Sequence, residues 1–285
     1  MFPWRQTSGE FDPQPFSDEP GKPRGSLSFG IARRLEPDQN SGMPSAEVPP
    51  THPRYLSLLT RERIVAGVER GVTSLHGLSA HGRGEAFDYL IGECTHPFAA
   101  RAIAAAAACL KAAQHPVISV NGNACALAAP ELVALAKAIK ARLEVNIFHT
   151  SPAREQAIRT MLLEAGAEAV LMPGQTHAIQ HIDHNRKWVH PEGILIADVV
   201  CVPLEDGDRC EALVKNGKTV ITIDLNPLSR TARTAQITIV DNLTRCLPLL
   251  VSAAGSTLNV PPAPPWDNAG ALAEAEAAMR NARTS

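Results

Sequence analysis

Aromatic side chains are scarce: Phe, Trp and Tyr make up 4% of the 285 residues. Single-stranded nucleic acid is held on stacked rings, so that class of function is set aside. An excess of charge is missing as well. Lys and Arg number 27, Asp and Glu 29, and the net charge is −2. This excludes a strongly basic nucleic-acid binder and a highly acidic, salt-adapted surface. No apolar run approaches the roughly 18 residues that a membrane-spanning helix needs. The longest, Ala102 to Leu110, is short and mostly alanine. The N-terminus lacks a basic region followed by an apolar one, so no signal peptide is expected. The six cysteines (Cys94, Cys109, Cys125, Cys201, Cys210, Cys246) form no CxxC pair. They read as buried, reduced thiols of a cytoplasmic protein. GxSxG, the mark of a serine nucleophile on a strand-to-helix elbow, is absent.

What is present divides at about residue 50. Residues 1–50 hold nine prolines and five glycines with no helix or strand period. That is the composition of a disordered extension. Met43 stands just before the patterned sequence, and a true start near it is one expectation. From residue 51 to 285 a single α/β domain is expected. Its first helix is predicted over Leu56–Glu69. A glycine-rich stretch, Gly77–Gly84, leads into a short helix over Glu85–Ile91, and a strong helix covers Phe98–Gln114. Short apolar strands (Val117–Val120, Leu143–Phe148, Ala169–Met172, Ala197–Pro203, Val220–Leu225, Ile237–Val240) then alternate with helices. Those begin at Pro130, at Ser151-Pro152, at Asp208, at Ser229 and at Leu243. A last helix is predicted over Ala271–Ala282. Residues 173–193 read as a loop. Such alternation predicts a Rossmann-like, three-layer fold with a mostly parallel sheet. Ligands of these sheets bind outside the carboxyl ends of the strands.

Three of the candidate sites lie at those ends or at a predicted helix start. His81-Gly82-Arg83-Gly84-Glu85 is read as opening a helix, where glycines let amides approach an anion and Arg83 offers a two-pronged donor. A tight turn with a solvated arginine explains the same residues. Glu205, Asp206 and Asp208, beside Arg209, suit a magnesium ion held partly through water, or else cap a helix. Asp224 and Asn226 can read a ribose or an adenine edge, with Arg230 and Arg233 facing phosphate. Asp241-Asn242 ends the next strand in the same layer. Together these suggest a nucleotide with its phosphates and metal. Two common fingerprints fail. GxGxxG would need glycine at Phe87. Gly217-Lys218-Thr219 lacks the first Walker glycine, replaced by Ala212, and lies between a helix and a strand in the wrong order. His177, His181, His184 and His190 crowd the irregular loop. They read as a metal set only if the loop turns helical, and otherwise as a solvated or substrate-covering loop.

Read in series, the motifs resemble the archaeal-type 4-phosphopantoate–β-alanine ligases, or phosphopantothenate synthetases. The matching strings are His52-Pro53-Arg54-Tyr55, the run from Gly77 to Glu93, and His115 to Asn123. Val202 to Arg209, Asp224 to Arg230 and Ile239 to Asn242 follow, with a weaker echo at Trp266-Asp267-Asn268. The resemblance implies a dimeric cytoplasmic enzyme that condenses 4-phosphopantoate with β-alanine. ATP is consumed, AMP and diphosphate are released, and 4′-phosphopantothenate goes on toward coenzyme A. It implies an ATP site at Arg61, Arg83, Asp224, Leu225, Asn226, Arg230, Thr231, Asn242 and Leu243. The chemistry expected of such a ligase is activation of the acid as an acyl-adenylate. Arg83 and Arg230 would stabilise the transferring phosphate, with Glu205, Asp206 or Asp208 near Mg2+. Arg54, Arg61 and the Asn121-Gly122-Asn123 amides are candidates for the substrate phosphate. His81 is a candidate base for the amine, or a structural histidine. Two alternatives stay open: a catalytically silent nucleotide- or phosphopantoate-binding sensor, and a related ligase using another amine. Partners are expected to be small molecules and a second copy of the chain, with neither nucleic acid nor membrane.

Overall fold

The computed structural model describes residues 49, 51–52, 55–256 and 266–282. Residues 1–48 and 50, Met43 among them, and Arg54 lie outside the described residues. Within them, five parallel strands form one sheet: β1 (Pro116–Val120), β2 (Arg142–Val145), β3 (Val199–Pro203), β4 (Thr219–Ile223) and β5 (Ile237–Ile239). Their order is β2-β1-β3-β4-β5. The strands are rich in Val and Ile, whose branched side chains suit a pleated surface, and the central strands β1 and β3 are buried on both faces.

Alternation sorts the strand residues onto two faces. Ile118, Val120, Leu143, Val145, Cys201, Ile221, Ile223, Ile237 and Ile239 point to the first. There they meet α3 (Pro97–Ala112), α4 (Gly122–Ile139), α5 (Pro152–Glu164) and α8 (Leu243–Gly255). The alanines of α3 leave short side chains on its inner face, so α3 and α8 pack closely. Val117, Val200, Val202 and Val220 point to the second face. It is closed by α6 (Gly207–Lys215) and by an irregular strap, residues 173–197, whose Ile179, Val189 and Ile194 are buried. A third cluster joins α2 (His76–Ile91), α7 (Arg230–Thr234) and α9 (Asn268–Asn281) beside β5. Asn268, in the weak C-terminal echo, accepts from Thr238 N (2.8 Å) and donates to Ala232 O and Ala235 O (2.9 and 3.0 Å). It ties α9 to the strand edge. The first helix, α1 (Tyr55–Glu69), packs on α2 and α4.

Four expectations are corrected. The glycine-rich stretch is not a lead-in: α2 runs unbroken from His76. His81–Glu85 therefore sits inside a helix, where backbone amides are already bonded, and no helix start offers them to an anion. The glycines serve close packing instead. A Cβ on Gly77 would lie 2.6 Å from Asn123 Oδ1, and one on Gly84 3.3 Å from Asn242 Nδ2. Second, α4 begins at Gly122 rather than Pro130. Asn121 caps it by accepting from Ala124 N (3.0 Å), and Pro130 leaves a kink marked by Ala128 at φ −151°. Third, Ala169–Met172 forms no strand of its own; Leu171 alone bridges to Glu144. Fourth, two of the six thiols are not buried: Cys94 is exposed and Cys109 half-buried, with Cys125, Cys201, Cys210 and Cys246 inside. By length and composition α4 could cross a membrane, but it is a largely buried core helix.

Candidate active site

In this strand order the chain leaves β1 toward one side of the sheet and β3 toward the other. A crevice opens where the directions part, outside the carboxyl ends. A cleft of about 1030 Å³ lies there, lined from the ends of β1, β3 and β4 and from α2. Asn121 is its central tie. Besides capping α4, its Nδ2 donates to Pro203 O (2.8 Å) and Leu204 O (3.2 Å), joining the ends of β1 and β3. Leu204 adopts φ +55°, a left-handed conformation that costs a branched residue roughly 1 kcal/mol. The turn it makes sends Glu205 into the interior and leaves Asp206 half-exposed at the cleft.

Beneath this turn is a buried charge network. Glu205 accepts from Arg186 on one side and Arg209 on the other. Arg186 Nη2 lies 2.8 Å from Glu205 Oε2, and its Nη1 lies 2.8 Å from Asp206 Oδ2. Arg186 Nε donates to Asn146 Oδ1 (2.9 Å) and Nη2 to Asn146 O (3.1 Å). This one guanidinium therefore bridges the ends of β2 and β3. Burial alone would push Glu205 up, but the charges of Arg186 and Arg209 and the Asp206 amide hold its carboxyl below the usual range. Arg209 is fully buried, and its Nε and Nη2 find no hydrogen-bond partner among the described residues.

At the other end of the cleft, Asp224 accepts from Asn226 N (2.9 Å) and from the Ser229 hydroxyl. Burial pushes its carboxyl up, opposed by those two donors and by the charge of Arg83. Asn226 Oδ1 accepts from Leu228 N (3.0 Å), which shapes the turn into α7. Thr231 Oγ1 donates to Glu205 O (2.9 Å), linking this turn to the end of β3. Arg230 lines the cleft and pairs with Asp208 and with Glu211 (3.3 Å). Arg83 and Arg154 also line it, and neither has a carboxylate partner within ion-pair distance among the described residues.

The structure thus gathers Arg83, Asn121, Gly122, Asn123, Glu205, Asp206, Asp224, Leu225, Asn226, Arg230 and Thr231 around one cleft. It leaves others outside. Arg61 pairs with Glu85 (2.7 Å), as does the ring of His81 (Nε2 3.6 Å from Glu85 Oε1). Asn242 caps α8 by accepting from Thr244 N (3.3 Å), and Leu243 is buried in the core. The three carboxylates proposed for magnesium do not fit a shared metal site. Both oxygens of Glu205 are taken by arginines, Asp208 is held by Arg230, and Asp206 is held by Arg186. No group of three or more His, Cys, Asp or Glu side chains is placed to hold a metal among the described residues. The four loop histidines likewise do not converge. His184 caps a turn at Arg186 N (3.3 Å) and stacks on Phe148 at 4.1 Å.

Sequence reading missed Arg186, Arg154 and Phe148, all lining the cleft. The pattern Leu143-Glu144-Val145-Asn146-Ile147 held a signal: two polar residues at alternate positions of an apolar strand mark a face that receives hydrogen bonds.

The comparisons with known proteins agree with one another. A family model described as phosphopantothenate/pantothenate synthetase matches residues 98–275. The 4-phosphopantoate–β-alanine ligase of Methanosarcina mazei is 56% identical over 201 residues, 70% of this chain and 79% of the relative. The protein of that name from Thermococcus kodakarensis is 53% identical over 208 residues, 73% of this chain and 80% of its own. That of Methanospirillum hungatei is 54% identical over 200 residues, 70% and 82% respectively.

Proposed function

Since the chain belongs to the phosphopantothenate/pantothenate synthetase family, we propose that it joins 4-phosphopantoate to β-alanine in an ATP-driven reaction, yielding 4′-phosphopantothenate, AMP and diphosphate. The observation that carries this is identity of 56% across 70% of the chain to a ligase of that name, with the family model matched over residues 98–275, which include the whole sheet. A silent sensor is not favoured, because the relatives are named as ligases.

A carboxylate resists attack by an amine. The acid's carboxylate oxygen therefore attacks the α-phosphorus of ATP, the bond to the diphosphate oxygen breaks, and an acyl-adenylate forms. The amine nitrogen of β-alanine then attacks the acyl carbon, AMP leaves with the bonding pair, and the amine loses a proton. Negative charge grows at the α-phosphate in the first step, where fixed cations contribute most. Arg83 and Arg230 are assigned to it, supported by their place in the cleft beside Asp224. The nucleotide is assigned to the Asp224–Thr231 turn. The second substrate's phosphate is assigned to the Asn121–Asn123 start of α4 together with Arg154. A base for the amine is sought in His149 and His76, which line the cleft, ahead of His81, which does not. Magnesium is assigned to the nucleotide, arriving on its phosphates, since this chain's carboxylates are already engaged. The same reading makes residues 51–285 one cytoplasmic ligase domain working as a homodimer on small molecules.

Purified chain given ATP, magnesium, 4-phosphopantoate and β-alanine should release AMP only when both co-substrates are present. ADP in its place would overturn the adenylate route. Tight ATP binding without turnover would overturn the ligase.

A further inference from the structure

The strap over the second face has little regular structure of its own. It holds one 3-10 turn at Asn185–Lys187 and a single bridge between Ala178 and Trp188. Yet it delivers Arg186 to the middle of the cleft floor. Its own backbone bonds close local turns, such as Val189 N to His177 O (3.0 Å) and Gly193 N to His190 O (3.1 Å), and the polar face of β2 and its end ties those turns to the sheet. Asn146 Nδ2 donates to Arg186 O (3.3 Å) and Trp188 O (3.2 Å). Glu144, two residues earlier and on the same face, is fully buried. Its Oε1 accepts from His190 N (2.9 Å) and its Oε2 from Ile194 N (2.7 Å). Gly193 passes so close that a Cβ there would clash with Glu144 Oε2.

Glu144 does not line the cleft. The charged group facing it is Arg209 of α6, and Ser119 lies beside it across the β1–β2 register. The His190 imidazole is turned away, accepting from Glu192 N (3.1 Å). Burying a carboxylate is costly, and apolar neighbours would serve packing better. A carboxylate does offer two acceptor oxygens on a rigid fork, one for each strap amide, with charge-assisted strength.

We propose that Glu144 is a positioning residue for the ligase reaction. By pinning the His190 and Ile194 amides it fixes the strap, and the strap fixes Arg186 across the ends of β2 and β3. Arg186 in turn sets the Glu205–Asp206 floor of the cleft. This rests on reading that cleft as the ligase active site.

The test starts with the wild-type chain. Amide hydrogen exchange at residues 190 and 194 should be slowed to within about tenfold of the β3 amides, and exchange at the rate of an exposed loop overturns the tie. In Glu144→Gln one oxygen becomes a donor facing an amide donor. Exchange across 184–196 should then rise at least about tenfold, and kcat for AMP formation should fall at least about tenfold. ATP affinity, set at the far turn, should stay within about twofold. A loosened strap with unchanged kcat overturns the proposal, as does a lowered kcat with the strap still protected. Gly193→Ala moves the strap without removing the carboxylate and should give the same split. Arg186→Lys combined with Glu144→Gln should be no slower than Arg186→Lys alone, and a further multiplied loss means that Glu144 does not act through Arg186. Protected strap amides in a wild-type chain that forms no AMP would instead sink the ligase reading and the role built on it, leaving the tie itself in place.

Discussion

Arg186 and Glu205 meet from opposite sides of the crevice, the first on an irregular strap and the second just past β3, with Nη2 2.8 Å from Oε2. The pair is shut away from water and shares Glu205 with Arg209. Removing one partner of such a pair leaves an uncompensated charge inside. Arg186→Met should cost about 3 kcal/mol of stability, which in a domain of this size lowers Tm by roughly 10 °C. AMP formation should fall with it. Arg186→Lys keeps the charge but loses the fork, so it should fall between wild type and methionine. Thermal melts of the three proteins rank them, and equal Tm values would refute the role given to the pair.

Arg83 presents the opposite case. It is exposed, lines the cleft, and faces Asp224 without an ion pair. Arg83→Ala should leave Tm within about 2 °C, because surface substitutions cost little. It should weaken ATP binding by about 10- to 100-fold, the loss of one charged hydrogen-bonding group. Calorimetric titration with ATP decides this, and unchanged affinity would move the phosphates elsewhere in the cleft.

Two carboxylates should pull stability in opposite directions with pH. Burial alone would push Glu85 up, but hydrogen bonds from Ser57 and Arg61 and the charges of Arg61 and His81 hold it at about 2. Its folded value lies below the unfolded one, so its contribution is present above about pH 4.5 and is lost as pH falls toward 2. Burial pushes Glu144 up to about 7, against the pull of the Ile194 and His190 amides and of Arg209. Its folded value lies above the unfolded one, so its contribution is full below about pH 4.5 and is lost as pH rises through 7. Urea unfolding of wild type and Glu144→Gln should show their difference drifting against wild type by on the order of 3 kcal/mol between pH 4.5 and 7.5. A difference that does not move with pH would mean that Glu144 is not the titrating group.

Asn268 makes three hydrogen bonds to β5 and its approach. Asn268→Ala leaves these backbone groups unmet and should destabilise the protein by about 2–3 kcal/mol. Limited proteolysis should then cut first at or near α9, whereas a protease pattern like that of wild type would show that α9 is held by its apolar contacts with Leu272 and Ala275 alone.

Local sequence pattern specifies the alternation of strands and helices, and with it the parallel sheet. Runs such as Val199–Pro203 and Thr219–Ile223 carry that signal locally, in branched residues bounded by turns. It also determined the strand ends where the cleft lies, and the Ser229 and Ser151 caps, because capping is decided within four residues. The tertiary structure decided whatever depends on a distant neighbour. Glycines at 77 and 84 read as a lead-in to a helix, and only the fold presses Asn123 and Asn242 against them. Glu205 read as a metal ligand because only the fold brings Arg186, 19 residues earlier in the chain, onto its free side. Residues 173–193 looked like a loop because their order comes from Glu144 and Asn146 across the sheet edge, with almost none from their own period. Propensity and capping act over a few residues, while a buried charge is satisfied only by partners that folding brings near.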